Sequence, residues 1–287
     1  MYKDSYFEIE GGKLIRYKGQ DECVVIPKGV TKIGENAFNS CSSLTTINIP
    51  EGVTKIGKSA FFDCYKLTAI NIPNSVTEIG ERAFQHCRSL TTIDIPEGVT
   101  EITDYTFFNC TSLTTINIPE GVKKIGKSAF FNCTSLTTIN VPESVTEIGE
   151  DAFVACSSLT TINIPEGVTK IVGAFRCCIS LTTINIPEGV TEIVGAFTCC
   201  SSLTTINISE GVTEIGKSAF SECESLTTIN MPETVTKIGD YAFSKCVNLT
   251  TINIPESVTE IGESVFNGCV SLNISEMSPY VLKLIIV

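Results

Sequence analysis

Along almost the whole chain the apolar positions fall in one recurring order. A leucine is followed by two polar residues, an isoleucine, a polar residue, a second isoleucine and a proline; a short polar turn leads to valine and isoleucine, then phenylalanine and cysteine. Leu44, Leu67, Leu90, Leu113, Leu136 and Leu159 lie 23 residues apart, Leu181 and Leu203 follow at intervals of 22, and Leu226, Leu249 and Leu272 return to 23. A fixed period of this length is the mark of a solenoid, in which each unit is too small to bury a core alone and stacks on its neighbours.

The unit LTTINIPEGVKKIGKSAFFNC, residues 113–133, shows what each position must do. Ile116 and Ile118 alternate with Thr115 and Asn117, which predicts one short strand per coil. Pro119 ends that strand without needing a ladder donor. Glu120 and Gly121 turn the chain, Val122 and Ile125 form a second inward-facing edge, and Gly126 permits another bend. The closing stretch, residues 127–133, is expected to be a short convex turn or 3₁₀ segment that puts Phe130 and Cys133 inside. A phenylalanine recurs in every unit from Phe38 to Phe266, which predicts a continuous aromatic spine. In the two shorter units "IVGAF" replaces "IGKSAF", so the deletion falls on the convex turn, where it is tolerated best.

The ends depart from the repeat, as the ends of a solenoid must. Residues 1–22 predict a hairpin cap around Gly11-Gly12, residues 23–274 about eleven coils, and residues 275–287 a strand-like apolar run that seals the last coil or attaches to something else.

The segments IPEGVTKIGKSAFF (49–62) and NCTSLTTIN (132–140) resemble the BspA-like class of leucine-rich repeat, over about residues 23–274. The resemblance implies a mainly β, right-handed, curved solenoid whose "TINI" strands make one parallel sheet. It also implies proteins of host-associated microbes and parasitic protists, often displayed on the surface and credited with adhesion.

The formal charge of -12 is spread over many short segments and leaves no basic patch, so nucleic acid is not an expected partner. The first residues carry acids and glycines in place of the apolar core of a secretory signal, and no window approaches a membrane span, which favours a cytoplasmic protein; the resemblance favours the cell surface. Sequons stand at Asn109, Asn132, Asn207, Asn248 and Asn273.

Eleven of the fourteen cysteines hold one repeat position, three residues before each leucine, and are expected to be free thiols in the core. Cys177 and Cys199 precede core cysteines and should face elsewhere, one coil apart. His86 is expected on a convex turn. Carboxylates repeat with the coil instead of converging, no phosphate-binding glycine loop appears, and neither an enzyme nor a cofactor is expected.

Two outward rows of the sheet remain as the candidate binding surface, represented by Thr92, Asp94, Thr115, Asn117, Thr138, Asn140, Thr161, Asn163, Thr183 and Asn185. Either they only stabilise the sheet, or they present a uniform polar lattice suited to a protein or a repetitive polymer. An acidic rim, Glu97, Glu120, Glu143, Glu166, Glu188, Glu210, Glu233 and Glu256, follows the strands and is a candidate site for a divalent cation or a basic partner. The expected function is a non-catalytic interaction scaffold; the alternatives are a cell-surface adhesin and a structural or ice-binding solenoid.

Overall fold

The computed structural model describes residues 6–273, 279, 280 and 282. Strands of two to four residues recur twice in each coil and pair only with the equivalent strand of a neighbouring coil. The first ladder is the expected one: Thr115, Ile116 and Asn117 pair in parallel with Thr92, Ile93 and Asp94, and the same register joins Thr228–Asn230 to Thr251–Asn253. The isoleucines point inward and the flanking Thr and Asn outward.

A second parallel ladder joins the one sheet that the resemblance implies. Its strands are the Lys-Ile and Glu-Ile pairs that the sequence marks only as an inward edge. Lys124 and Ile125 pair with Glu147 and Ile148, and Lys170–Val172 pairs with Glu192–Val194. The charged partners meet across it, Lys124 with Glu147 at 3.0 Å and Lys170 with Glu192 at 2.7 Å. These pairs are exposed and contribute little each. Their alternation spares the middle of the ladder a column of like charge, although Glu192 and Glu214 stand side by side, as do Lys13, Lys32 and Lys55 near the N-terminal end.

Between the ladders lies the core. Ten phenylalanines, Phe38 to Phe243, are fully buried, and their rings stack on one another at centroid distances of 5.1–5.6 Å, nearly coplanar in orientation. Phe266 continues the column at 6.0 Å and is partly buried. Beside it the core cysteines are free, and from Cys64 onward each donates its thiol to the phenylalanine carbonyl of the preceding coil, as from Cys133 to Phe107 at 3.2 Å. Burial pushes the Cys133 thiol well above the usual thiol range, as it does at the other fully buried positions of the column such as Cys110 and Cys156, and these are inert filling.

The closing segment is a turn and not a 3₁₀ helix. Each coil places two residues in the left-handed region here, for example Ser128 at φ 50° and Asn132 at φ 58°, and such residues interrupt any helical run. The resulting backbone sends its N–H groups to the next coil: Phe130 N to Ala152 O at 2.8 Å and Asn132 N to Val154 O at 2.8 Å. In the shorter coils Gly173 and Gly195 take the first left-handed position. The glycine after the second ladder has a different task, since a Cβ on Gly149 would lie 2.6 Å from the backbone of the coil below.

The second left-handed position forms an outer column with its own polar ladder. Asn132 Nδ2 donates to Asn109 Oδ1 at 2.5 Å, and Asn109 Nδ2 donates to Nδ1 of His86 at 2.9 Å. The expected convex turn is therefore where His86 sits, half-buried with Phe62 and Phe108 edge-on to its ring. Because Nδ1 accepts, the imidazole proton is on Nε2. The Gln85 amide nitrogen faces that atom at 3.4 Å while Gln85 Oε1 is the buried polar side-chain atom without a partner among the described residues. Turning the amide over lets its oxygen accept the Nε2 proton.

At the N-terminal end Phe7–Glu10 and Lys13–Tyr17 form an antiparallel hairpin with positive φ at Gly11 and Gly12. Its second strand continues the second ladder by pairing with Lys32 and Ile33. Tyr17 covers the end of the ring column, 5.3 Å from Phe38. At the other end the expected strand is not found among the described residues: Pro279, Tyr280 and Leu282 are helical, and the Tyr280 hydroxyl donates to Val258 O at 2.6 Å. Pro279 presets a helical φ and opens such a turn readily. The rest of the apolar run lies outside the described residues.

Phe130→Ala is expected to destabilise the protein by about 3–5 kcal/mol through a central cavity, whereas Asn117→Ala, on the outward face, should change stability by less than ~0.5 kcal/mol; chemical denaturation of both variants checks the assignment of faces. Burial and the nearby Arg88 charge hold the His86 pKa below the usual histidine value. The unfolded chain therefore takes up this proton first, and stability falls as the pH drops below about 6.5 through the lower folded value. The melting temperature should decline between pH 7.5 and 5.5, and His86→Asn, which extends the Asn109–Asn132 ladder, should flatten that decline.

Candidate functional site

Both candidate surfaces follow from the first ladder. The strand pleat sends Thr92, Asp94, Thr115, Asn117, Thr138, Asn140, Thr161, Asn163, Thr183 and Asn185 to the outer side, and all ten are exposed. Parallel pairing aligns them as two columns, Thr138 beside Thr161 and Thr183 beside Thr205.

The two threonines of each "LTT" look alike in sequence and behave differently. The first hydroxyl is used within the fold: Thr114 Oγ1 donates to Thr91 O at 3.1 Å and Thr204 Oγ1 to Thr182 O at 3.1 Å. A second such ladder runs beside the Lys/Glu strands, as from Thr213 Oγ1 to Thr191 O at 3.2 Å. The outward Thr row makes no such bond among the described residues. The amides of the neighbouring row are equally uncommitted, apart from Asn207, which donates to Asn185 Oδ1 at 2.6 Å, and Asn163, which donates to Glu143 Oε1 at 3.0 Å. A continuous amide ladder, the structural reading of this row, is therefore not what the geometry shows.

The first ladder opens at Asn140 and Asn163, where the strands shorten to Thr138–Ile139 and Thr161–Ile162. A shallow depression of about 490 Å³ lies there, with Thr138, Asn140, Thr161, Asn163, Thr183 and Asn185 on its surface and Ile139, Ile162 and Ile184 forming its floor. Six of the ten candidate residues are thus brought together over three coils. Near the N-terminal end the face changes character, because Cys23 and Val25 take the Thr and Asn positions opposite Thr46 and Asn48 and are exposed. That apolar start to the row is visible in "CVVIP" once the strand register is known.

The rim residues Glu97, Glu120, Glu143, Glu166, Glu188, Glu210, Glu233 and Glu256 are all exposed, one per coil. Among the described residues no three His, Cys, Asp or Glu side chains converge as ligands for an ion. The rim is a line of separate charges, in contrast to the oxygen cage of six or more ligands that calcium takes. Its field reaches basic groups within about 10 Å at moderate salt.

Cys177 and Cys199 stand where the sequence places them, off the core column and half-buried, at the second left-handed position of the two shorter coils. Cys199 Sγ donates to Glu222 Oε2 at 3.1 Å, and Lys245 Nζ holds the other carboxylate oxygen at 2.5 Å. Burial first, and then the bond to Glu222, pushes the Cys199 thiol up to about 12. No helix among the described residues is long and apolar enough to cross a membrane.

Comparison with known proteins agrees with this architecture. A BspA type leucine-rich repeat region matches residues 17–114, 77–195 and 194–284. The chain is similar to a leucine-rich cell surface protein of Faecalibacterium prausnitzii, with 33% identity over 99% of this chain and 97% of that one and a TM-score of 0.60. A leucine-rich repeat protein of Bacteroides ovatus is 30% identical over 90% of this chain and 80% of that one, with a TM-score of 0.61. The pneumococcal vaccine antigen PcpA shares the fold at 18% identity, over 96% of this chain and 92% of that one, with a TM-score of 0.61. None of the curated proteins matches the chain. With the family match spanning nearly all of its coils, the chain belongs to the BspA type leucine-rich repeat family.

Proposed function

We propose that the protein is a non-catalytic interaction scaffold that binds a protein or an extended polymer through the outward Thr/Asn rows. The family and its surface-protein relatives support a protein-interaction or adhesin-like role in general terms. The observation that carries the finer reading is the uncommitted state of the outward Thr hydroxyls and most of the Asn amides, beside a neighbouring Thr row whose hydroxyls are mostly used to join coils. A face that supplies donors and acceptors at every coil binds by summing weak, identical contacts, which suits a repetitive ligand. It lacks the aromatic and Arg anchors of a sharply selective interface.

The centre of the site is the depression over Thr138–Asn185, and the acidic rim adds long-range attraction for a basic ligand and no dedicated ion site. The hairpin of Phe7–Glu10 and Lys13–Tyr17 serves as the end cap to the first coil. Display on the cell exterior as an adhesin is the second reading, favoured by the 33% identity to a cell surface protein.

Replacing Thr138, Asn140, Thr161, Asn163, Thr183 and Asn185 by Lys tests the site. On arrays of extracellular-matrix proteins and polysaccharides, the intact chain should bind at least one probe and the variant should lose at least tenfold in apparent affinity, with an unchanged circular dichroism spectrum. Equal loss from Lys placed at Ser42, Thr111 and Ser201, between the core cysteine and leucine of their coils, would instead indicate nonspecific charge repulsion. Any binding carried by the rim should weaken steadily from 50 to 300 mM salt, whereas millimolar calcium should leave the melting temperature unmoved.

A further inference from the structure

The two shortened coils carry the doublets "RCC" and "TCC", and in each the first cysteine leaves the core column. We propose that the Cys177 and Cys199 thiols together form a two-coordinate site for a soft monovalent cation of the copper(I) type. The proposal does not depend on the reading of the Thr/Asn face.

Geometry brings the pair together. Cys177 and Cys199 occupy the same position of consecutive coils, with φ 59° and 61°, and each backbone N–H is anchored to the next coil at 2.8 Å, Cys177 to Thr198 O and Cys199 to Ser221 O. Matching backbones in register project matching Cβ atoms side by side, one coil apart. The two coils pair in parallel register on both sides of the core, at the strand spacing of about 4.8 Å. A disulfide wants Cβ atoms about 3.5–4.5 Å apart, which parallel Cβ vectors at this spacing do not reach. Two metal–sulfur bonds of about 2.3 Å span roughly 4.6 Å between the sulfurs, which suits the spacing.

Ligand number points to the same class of ion. Zinc takes four ligands in a structural site, and no third His, Cys, Asp or Glu joins these two among the described residues. Soft thiolate ligands suit copper(I) as well as zinc, and with zinc's four ligands missing copper(I) is the better match. The neighbouring core thiols do not compete, since Cys178 and Cys200 are buried and donate to the Phe153 and Phe175 carbonyls at 3.2 and 3.1 Å. Binding replaces the two thiol protons, which pass to solvent, and forms a bis(thiolate) of net charge -1 with no change of oxidation state. The Glu222 carboxylate, which accepts the Cys199 proton at 3.1 Å, then faces an anion. Glu222 thus opposes the bound state.

The test is competition of the intact, fully reduced chain for copper(I) against bathocuproine disulfonate under anaerobic conditions. One equivalent per chain should resist the chelator, with two sulfur neighbours by X-ray absorption. Cys177→Ala and Cys199→Ala should each lose at least tenfold in affinity; Ala155 already occupies this column at φ 59°, so the fold accepts the change. Cys23→Ser, which removes the exposed single thiol, should bind as the parent does, and Glu222→Gln should bind several-fold tighter. Retention of the equivalent in Cys177→Ala or in Cys199→Ala, three or more sulfur neighbours, or ready closure to an intramolecular disulfide by stoichiometric diamide would overturn the proposal.

Discussion

Everything in this fold depends on coils lying in register, because almost no coil satisfies itself. The backbone N–H of Phe130 is answered by Ala152, that of Gly149 by Ile125 and the thiol of Cys133 by Phe107, so beside the turn bonds within a coil, such as Cys133 N to Phe130 O, much of its hydrogen bonding closes on the coils before and after it. Every residue type is thereby multiplied into a column, and a column magnifies whatever the residue does to its own copy. Phenylalanine gains, since stacked rings fill the interior without voids. Glycine follows the second ladder in most coils, where the neighbouring backbone sits where a Cβ would be, while Thr103, Val172 and Val194 take its place in three. Lysine and glutamate alternate along parts of the second ladder, where a continuous column of either would repel itself. The rim glutamates escape that demand only because water screens them.

The long-range order was legible in the sequence because it is carried by large, regular signals. The leucine interval, the Ile-polar-Ile alternation and the phenylalanine in every unit each report one position of the cross-section, and the structure places them as expected. Two features were not legible for identifiable reasons. A strand of two residues such as Lys124–Ile125 is shorter than the alternation that reveals strands, and it exists only because the next coil supplies a partner. The closing segment reads as either a turn or a 3₁₀ segment because "KSAFFNC" is too short to show a period, and its left-handed positions hold Ser, Asp, His, Asn, Ala, Cys, Glu, Lys and Tyr in different coils. Residues that ordinarily avoid that conformation adopt it here because hydrogen bonds to the next coil outweigh a local cost of about 1–3 kcal/mol.

The site was legible only as a direction. Register places Thr115 and Asn117 outward, but nothing in "TT" distinguishes the hydroxyl that joins coils from the one that faces solvent. That distinction is geometric: Thr114 Oγ1 lies 3.1 Å from Thr91 O, while Thr115, one residue further along, turns into solvent. Likewise the opening of the ladder at Asn140 and Asn163 has no counterpart in composition, since "TIN" recurs there unchanged.

The uniformity of the outward rows is itself an argument about function. Copies of a unit resemble one another where packing demands it and, for a time, wherever duplication is recent. The second left-handed column separates these causes. It is outside the core, like the Thr/Asn face, and it has passed through the same duplications, yet it reads Asp63, His86, Asn109, Asn132, Ala155, Cys177, Cys199, Glu222 and Lys245. Recency therefore does not preserve an exterior column. The Thr row departs from Thr at Ala69 and at Cys23 of the first strand, and the Asn row departs at Asp94 and Val25, although few of these side chains bond within the fold. Strand propensity favours Thr but disfavours Asn, so it accounts for one row and not the other. A constant column of asparagine is what the proposed partner, touching successive coils alike, would require.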